Sequence, residues 1–445
     1  MRPSVVALVA TAVLLLVAAP AAARFGMPEP LTDRGKTVED IYFQIALAGV
    51  LVFVLVFALL VWVLVRYREG GHGRSTHEKH RGSLKAELVW TIIPLAIMLW
   101  IGVMSYAGLV KLDAGLGSDD YAMEVNITGF QWFWQMDYGE GVVVNVIPTA
   151  NAQTGAMSYS DTFHLPADTP ILLNLTGNEV IHAFNILDAN RAYVTMDDAN
   201  PSGPHKYHTQ VVSFPAGKYT IQCKEMCLNP GHGYMRAELV VDAPADFDEW
   251  KADRALFGSA ALRELVDVTA NNGKLTYNDP APAVVVDGTR VGIKVTNAGT
   301  QAVEFTADGN TTAVAPGEVA RVAFDAQGGK TYTVTFSPGG SFQLEAVTPD
   351  AEITVDLGDF FIRNADIQLQ VGKGYLIRAT NIGTIGHNLF IGTFGGEVLA
   401  ESNTAGSGDV ALVYFKPTSA ATLDWWCNVP GHHGLGMSGT VTITA

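Results

Sequence analysis

The sequence predicts two transmembrane α-helices followed by an all-β part, and three observations carry that reading. Two apolar runs, residues 41–65 and 88–110, are each long enough for a bilayer core, which takes about 20 residues. From Tyr121 onward they give way to short alternating strands broken by Gly, Pro and Asn, as in YAMEVNITGF, PILLNLTG and HTQVVSFPAGKYTIQC. Within that β part the chain repeats itself. Ile293-Lys-Val-Thr-Asn-Ala-Gly-Thr300 resembles Ile377-Arg-Ala-Thr-Asn-Ile-Gly-Thr384, and Gly217-Lys-Tyr-Thr220 resembles Gly329-Lys-Thr-Tyr-Thr333. Self-similarity at domain intervals predicts three β-sandwiches in series.

Taken in order, residues 1–23 carry Arg2, an apolar run and Ala21-Ala-Ala23, the layout of a secretory signal with an A-x-A cleavage site; a retained third membrane helix is the alternative. The two-helix anchor occupies 24–112. Its connecting loop holds Arg66, Arg68, Arg74, Lys79, Arg81 and Lys85, which the positive-inside rule puts in the cytoplasm, so everything after residue 112 faces outward. His72, His77 and His80 of that loop read as a solvated basic turn rather than a metal patch. Glu87 opens the second span, either as an interfacial charge or as a functional ionisable group at the membrane boundary. The first β-domain spans 113–243. Residues 244–272 show helical periodicity through Phe247, Trp250, Leu256, Leu262 and Leu265, with Asp and Glu on a solvated face, and read as a helical linker. The second and third β-domains follow at 273–348 and 349–445.

The chain's net charge is −16, with its acidic residues concentrated after the membrane segments; it argues against nucleic acid and for a basic or weakly charged soluble partner. Only three Cys are present, and all fall in candidate ligand loops, which argues against a disulfide framework. The stretch IQCKEMCLNPGHGYMR places Cys223, Cys227, His232 and Met235 in one loop. Two thiols four residues apart can bridge a pair of metal ions, with His232 and Met235 as terminal ligands. Zinc would accept the Cys and His, but the thioether of Met235 tilts the choice to copper. A mononuclear site on Cys227, His232 and Met235, with Cys223 a buried free thiol, is the alternative. His182, in Glu179-Val-Ile-His182-Ala-Phe, offers a remote fourth ligand.

In the last domain Gly386-His387-Asn-Leu-Phe390 and Trp426-Cys427-Asn-Val-Pro-Gly-His432-His-Gly-Leu-Gly-Met437 supply one thiolate, two imidazoles and a weak axial thioether, the donor set of a mononuclear copper site. His433 is expected at an exposed edge where electrons enter, and Asn388 to hydrogen-bond to the ligand loop. The middle domain lacks Cys, with Phe336 or Ser337 at the thiolate position and Val303 at that of the remote His. It is expected to hold no copper. Of the three neighbours Trp132, Phe133 and Trp134, at least one must face away from its own sandwich, because adjacent strand residues point to opposite sides.

These motifs carry a resemblance. Glu87-Leu-Val-Trp-Thr-Ile-Ile-Pro94, Gly129-Phe-Gln-Trp-Phe-Trp-Gln135 and the block from GNEVIHAF to H-x-x-M resemble cytochrome c oxidase subunit II over residues 37–243, with one extra residue between Cys227 and His232. The third domain resembles type 1 blue-copper proteins of the plastocyanin and auracyanin kind. The resemblance implies Greek-key sandwiches of the cupredoxin type. It implies a binuclear CuA centre on His182, Cys223, the carbonyl of Glu225, Cys227, His232 and Met235, and a type 1 copper on His387, Cys427, His432 and Met437. It further implies Trp132 as the point where electrons enter CuA, Glu225 as a ligand of a structural Mg, and Glu87 at the mouth of a proton path. Haem-bearing subunit I, subunit III and a soluble donor, cytochrome c or a small copper protein, are the implied partners, in the plasma membrane of a prokaryote. The rival readings are an electron-input subunit of a nitric oxide reductase and a copper-delivery module.

Overall fold

The computed structural model describes residues 33–67, 83–113, 120–150, 157–178, 180–186, 208–258, 260–277 and 284–445. They form two units, an N-terminal helical one and a β one. The leader, Glu179 and the basic loop from Arg68 to Arg81 lie outside the described residues, while Arg66 and Lys85 stand on the flanking helices.

In the helical unit α1 (Asp33–Tyr67) and α2 (Leu84–Asp113) extend past both apolar runs. Leu51, Phe53, Leu60, Ile92, Met98 and Trp100 are all exposed, an arrangement stable only against lipid. Inside a bilayer the helix satisfies every backbone group internally, which is why such a segment spans as helix. Gly108 lets the two helices approach, since a Cβ there would come within 2.1 Å of the Ile41 side chain. The second helix begins at Ser83, whose carbonyl accepts the Glu87 amide at 2.9 Å.

Each β-sandwich is built to one plan. In the first, Val143–Val146, Phe133–Asp137, Met123–Phe130, Ile171–Gly177 and His208–Val212 form a five-stranded sheet in that order, and the second sheet is built on Phe163–Pro166, Arg236–Asp242 and Gly217–Cys223. In the middle sandwich Lys274–Tyr277, Arg263–Asn271, Arg290–Asn297 and Val319–Asp325 face Val284–Val286, Ser341–Val347, Thr331–Ser337, Val303–Ala307 and Asn310–Val314. In the third, Phe361–Arg363, Ala351–Gly358, Tyr375–Asn381 and Val410–Phe415 face Asp366–Gln370, Ser438–Thr444, Ala421–Trp426, Phe390–Gly392 and Val398–Glu401. Every sandwich has one parallel pair in each sheet: Met123–Phe130 with Ile171–Gly177, Arg263–Asn271 with Arg290–Asn297, and Ala351–Gly358 with Tyr375–Asn381 in the first sheets. Non-consecutive strands meeting in this way give the crossed connectivity of a Greek key.

The sequence repeat has a physical basis. Asn381 is fully buried; its amide donates to the carbonyls of Ile385 (2.7 Å) and Ala405 (3.0 Å), and its oxygen accepts from the Gly383 amide (2.9 Å). Asn297 repeats the pattern with Gln301, Val314 and Gly299 at 2.8, 2.8 and 2.9 Å. One buried side chain thus bonds three backbone groups of two neighbouring segments at once.

The helical linker is corrected by the structure. Only Pro244–Ala255 is helical (α3), and Arg263–Asn271 is a strand of the middle sandwich. Val266, Val268 and Ala270 alternate inward there, and this period of two overrides the apparent helical spacing of Leu262 and Leu265. Asp246, Asp248 and Glu249 of α3 are exposed, as a solvated face requires, but Asp253 is not. Asp253 pairs with Lys294 at 2.9 Å and Arg321 at 2.5 Å, Glu249 with Lys294 at 2.7 Å, and Arg254 grips Asp161 with two bonds of 2.6 Å. The helix therefore ties the first sandwich to the middle one.

Candidate metal centres

The first centre forms where the strand Gly217–Cys223 leaves its sheet and the chain loops back to Arg236–Asp242. The Cys223 amide donates to the Met235 carbonyl at 3.0 Å and closes the loop. Inside it the Cys223 and Cys227 sulfurs lie 3.7 Å apart, too far for a disulfide. The His182 Nδ1 is 3.8 Å from the Cys223 sulfur, and the His232 Nδ1 and Met235 Sδ are 3.3 and 3.8 Å from the Cys227 sulfur. The carbonyl of Glu225 is 3.2 Å from the Cys223 sulfur. His182 fits because Gly129 faces its ring: a Cβ at that glycine would approach within 2.8 Å. The hydrogen bond between the thiols holds Cys223 well below the ordinary thiol range and pushes Cys227 above it, so Cys223 ionises first.

The second centre lies at the same place in the third sandwich. Cys427 follows the strand Ala421–Trp426, and its amide donates to the Met437 carbonyl at 3.1 Å. Its sulfur is 3.4 Å from the His432 Nδ1 and 3.9 Å from the His387 Nδ1, and those two nitrogens are 3.2 Å apart. Met437 is fully buried in the same core cluster. His387 is held by backbone bonds in both directions with Ala405 (3.0 and 2.8 Å), and its Nε2 is 3.4 Å from Asp359. Burial pushes His387 down to about 4. It also takes His432 down to about 3, with His387 adding to the shift and the Gln131 backbone opposing it. Both imidazoles are therefore neutral, the form that binds a metal. Burial raises the Cys427 thiol to about 12. Asn388 accepts from the Asn428 amide at 2.7 Å and stands 3.5 Å from the Cys427 sulfur.

Both clusters fit copper. Thiols, thioethers and imidazole nitrogens crowd within bridging distance of one another in buried pockets, and two facing Nδ1 atoms call for a shared cation. In the middle sandwich the turn Ser337-Pro338-Gly339-Gly340-Ser341 joins the equivalent strands directly, so no ligand loop exists there.

The remaining predicted residues fall as follows. The Glu225 carboxylate is exposed and accepts the Met226 amide at 3.3 Å. His433 stacks on Phe394 with ring centroids 3.5 Å apart. It flanks a cavity of about 450 Å³ that is also lined by Tyr159, Tyr234 and Trp426. Glu87 sits in the first turn of α2. Trp132, Phe133 and Trp134 are all buried, which corrects the expectation of an outward aromatic in one respect: what faces away from the first sandwich is covered by the third. Phe133 joins the core of the third sandwich, and Trp132 packs on Phe360 and His432. Phe360, Asp359 and Phe394 were not singled out in the sequence, where each is one aromatic or acid among many.

An apolar helical pair joined to cupredoxin-type sandwiches with a buried two-thiol cluster defines a membrane-anchored copper protein. Residues 8–107 match the family model "Cytochrome C oxidase subunit II, transmembrane domain", and residues 123–243 match "Cytochrome C oxidase subunit II, periplasmic domain". Over these residues the chain belongs to the cytochrome c oxidase subunit II family. Similar proteins include cytochrome c oxidase subunit 2 of Candida albicans, 27% identical over 55% of this chain and 93% of that one. That of Alkalihalophilus pseudofirmus is 22% identical over 60% and 74%. Among solved structures, the periplasmic domain of subunit II from Bradyrhizobium japonicum is 21% identical with a TM-score of 0.24, covering 30% of this chain and 93% of that one. Auracyanin B is 20% identical with a TM-score of 0.21, covering 22% and 91%. Membership makes the chain the electron-input subunit of a membrane oxidoreductase complex, associated with its subunit I, copper-binding, and carrying its first β-domain outside the membrane.

Proposed function

We propose that the chain feeds electrons to a haem-copper terminal oxidase through two copper centres of its own. In this reading His182, Cys223, Cys227, His232 and Met235, with the Glu225 carbonyl, hold the binuclear CuA, and His387, Cys427, His432 and Met437 hold a type 1 copper. Copper supplies one-electron chemistry, alternating between Cu(I) and Cu(II) with little change in its ligands. The residues do the rest: thiolates and neutral imidazoles set the donor field, and the surrounding core keeps water from the sulfurs, all of which are buried.

The observation that carries the reading is two complete soft-donor sets, at the same position in two sandwiches of one chain, one with two thiols and one with a single thiol. A soluble donor, cytochrome c or a small copper protein, delivers electrons on the face of His433. They pass from the type 1 site to CuA and leave for haem in subunit I, where oxygen is reduced to water and protons are pumped. Catalysis belongs to that partner, and subunit III completes the complex. Glu87 stands at the mouth of a proton path, and the exposed Glu225 carboxylate binds a structural Mg at the subunit interface. The middle sandwich is a copper-free spacer, and the β part lies on the outer side of a prokaryotic plasma membrane. Copper counting with electron paramagnetic resonance on the full chain tests this. Three coppers, with a delocalised two-copper signal over a four-line one, are expected; two coppers with two mononuclear signals would refute the binuclear assignment. Nitric oxide turnover without oxygen uptake by the complex would refute the oxidase.

A further inference from the structure

Trp132 lies in the turn between the strands Met123–Phe130 and Phe133–Asp137 of the first sandwich and is nevertheless 1% exposed. On one side its Nε1 donates to the carbonyl of Cys227 at 2.7 Å, and Gln131 donates to the same oxygen at 3.1 Å. On the other side the indole meets the third sandwich: Phe360 stacks at 6.3 Å between centroids, and His432 stands edge-on at 5.8 Å. Phe360 and His432 are themselves 5.1 Å apart and nearly perpendicular.

The close approach depends on two glycines, each directly before a ligand histidine. A Cβ on Gly231 would come within 2.2 Å of the indole, and one on Gly431 within 2.4 Å of the Pro230 ring. Thus Pro230-Gly231-His232 and Pro430-Gly431-His432 face each other with Trp132 between them. The loop of the first site is the one with the extra residue, and Pro230 of that loop makes the contact.

We propose that Trp132, which the resemblance makes the entry to the first centre, is fed internally from His432 of the third sandwich, and that it is closed to soluble donors. This rests on the copper assignments above. Each passage removes one electron from the site of Cys427 and adds one to the site of Cys223 and Cys227; no bond or proton is exchanged. A donor that would reduce the first site directly finds its aromatic surface already occupied by the third sandwich, so donor electrons must use the type 1 site first.

The test uses the full copper-loaded chain in detergent, with rapid reduction by cytochrome c followed separately in the spectra of the two sites. Trp132→Phe keeps the ring and loses the N–H donor, and Trp132→Leu loses both. Both are expected to retain the two copper signals and wild-type reduction of the type 1 site, but to lose the fast internal phase that follows. Unchanged internal transfer with both signals intact would overturn the internal feed while leaving the copper assignments standing. In Cys427→Ser, which keeps Trp132, cytochrome c is expected to leave the two-thiol site oxidised on that timescale; its rapid direct reduction would overturn the closure. Absence of the two signals from the wild-type chain would instead overturn the assignments, and the internal feed with them.

Discussion

Asn381→Ala isolates the device that holds His387 in place. The side chain makes hydrogen bonds of 2.7, 3.0 and 2.9 Å to Ile385, Ala405 and Gly383, and is fully buried. Truncation leaves two carbonyls and one amide without that partner. The Ala405 carbonyl keeps the His387 amide, so two groups, the Ile385 carbonyl and the Gly383 amide, are orphaned; at about 1–3 kcal/mol each, with partial relaxation, they give about 2–4 kcal/mol. The Ala405 carbonyl accepts the His387 amide, so loosening it also moves a residue proposed to hold copper. Asn297→Ala removes the equivalent bonds in the middle sandwich and provides the control. Native-state hydrogen exchange resolves the two sandwiches separately in one molecule. Each variant is expected to lose protection in its own sandwich by that amount, and only Asn381→Ala to shift the blue absorption. A loss under about 1 kcal/mol at either position would refute the orphaned-group argument, and a spectral shift in Asn297→Ala would refute the separation of the domains.

Gly231→Ala pushes a methyl into the Trp132 indole and is expected to cost about 1–3 kcal/mol, read as a lower unfolding midpoint, with Gly233→Ala, which meets nothing within 4 Å, near neutral. Asp253→Ala strips Lys294 and Arg321 of a shared partner and, because these groups are partly exposed, is expected to cost about 1–2 kcal/mol, measured as lost exchange protection around α3. Copper removal by a chelator should lower the stability of the first and third sandwiches and leave the middle one unchanged in the same exchange experiment. In the copper-free chain the third sandwich should weaken in acid. His387 is buried neutral with its value near 4, whereas the unfolded chain takes up its proton near 6.5, so its contribution is whole above that value and disappears as pH falls towards 4. A flat stability across that window would contradict the burial argument.

The membrane helices were legible because lipid demands a long uninterrupted apolar run, and the sandwiches because one buried face imposes a period of two. The Asn-x-Gly-Thr repeat was legible as a repeat; its cause, one amide satisfying three backbone groups, needed coordinates. Arg263–Asn271 was misread because Leu262 and Leu265 extend a helical spacing into a segment whose inward residues are Val266, Val268 and Ala270. The donors of both clusters stand in short motifs, since a ligand loop must return to the same point within a dozen residues. What those motifs could not carry is what covers them. Alternation separates Phe133, which enters the core of the third sandwich, from Trp134, which faces His182 and Phe184; Trp132 lies in the turn before that strand, and only the tertiary fold supplies Phe360 and His432 as its second wall.

The turn Ser337–Ser341 has a consequence for how such centres arise. The middle sandwich closes its core with Phe305, Phe336 and Leu344 and stands without any ligand loop, on the same strand plan as its two neighbours. The scaffold and the metal-holding segment are therefore separable parts. Exchanging Pro338-Gly339-Gly340 for a segment of the length and donors found between Cys427 and Met437, together with a histidine near Val303, would give the middle sandwich the donor set of its neighbour, and the reverse exchange would strip the third sandwich of its donors while leaving the architecture whole.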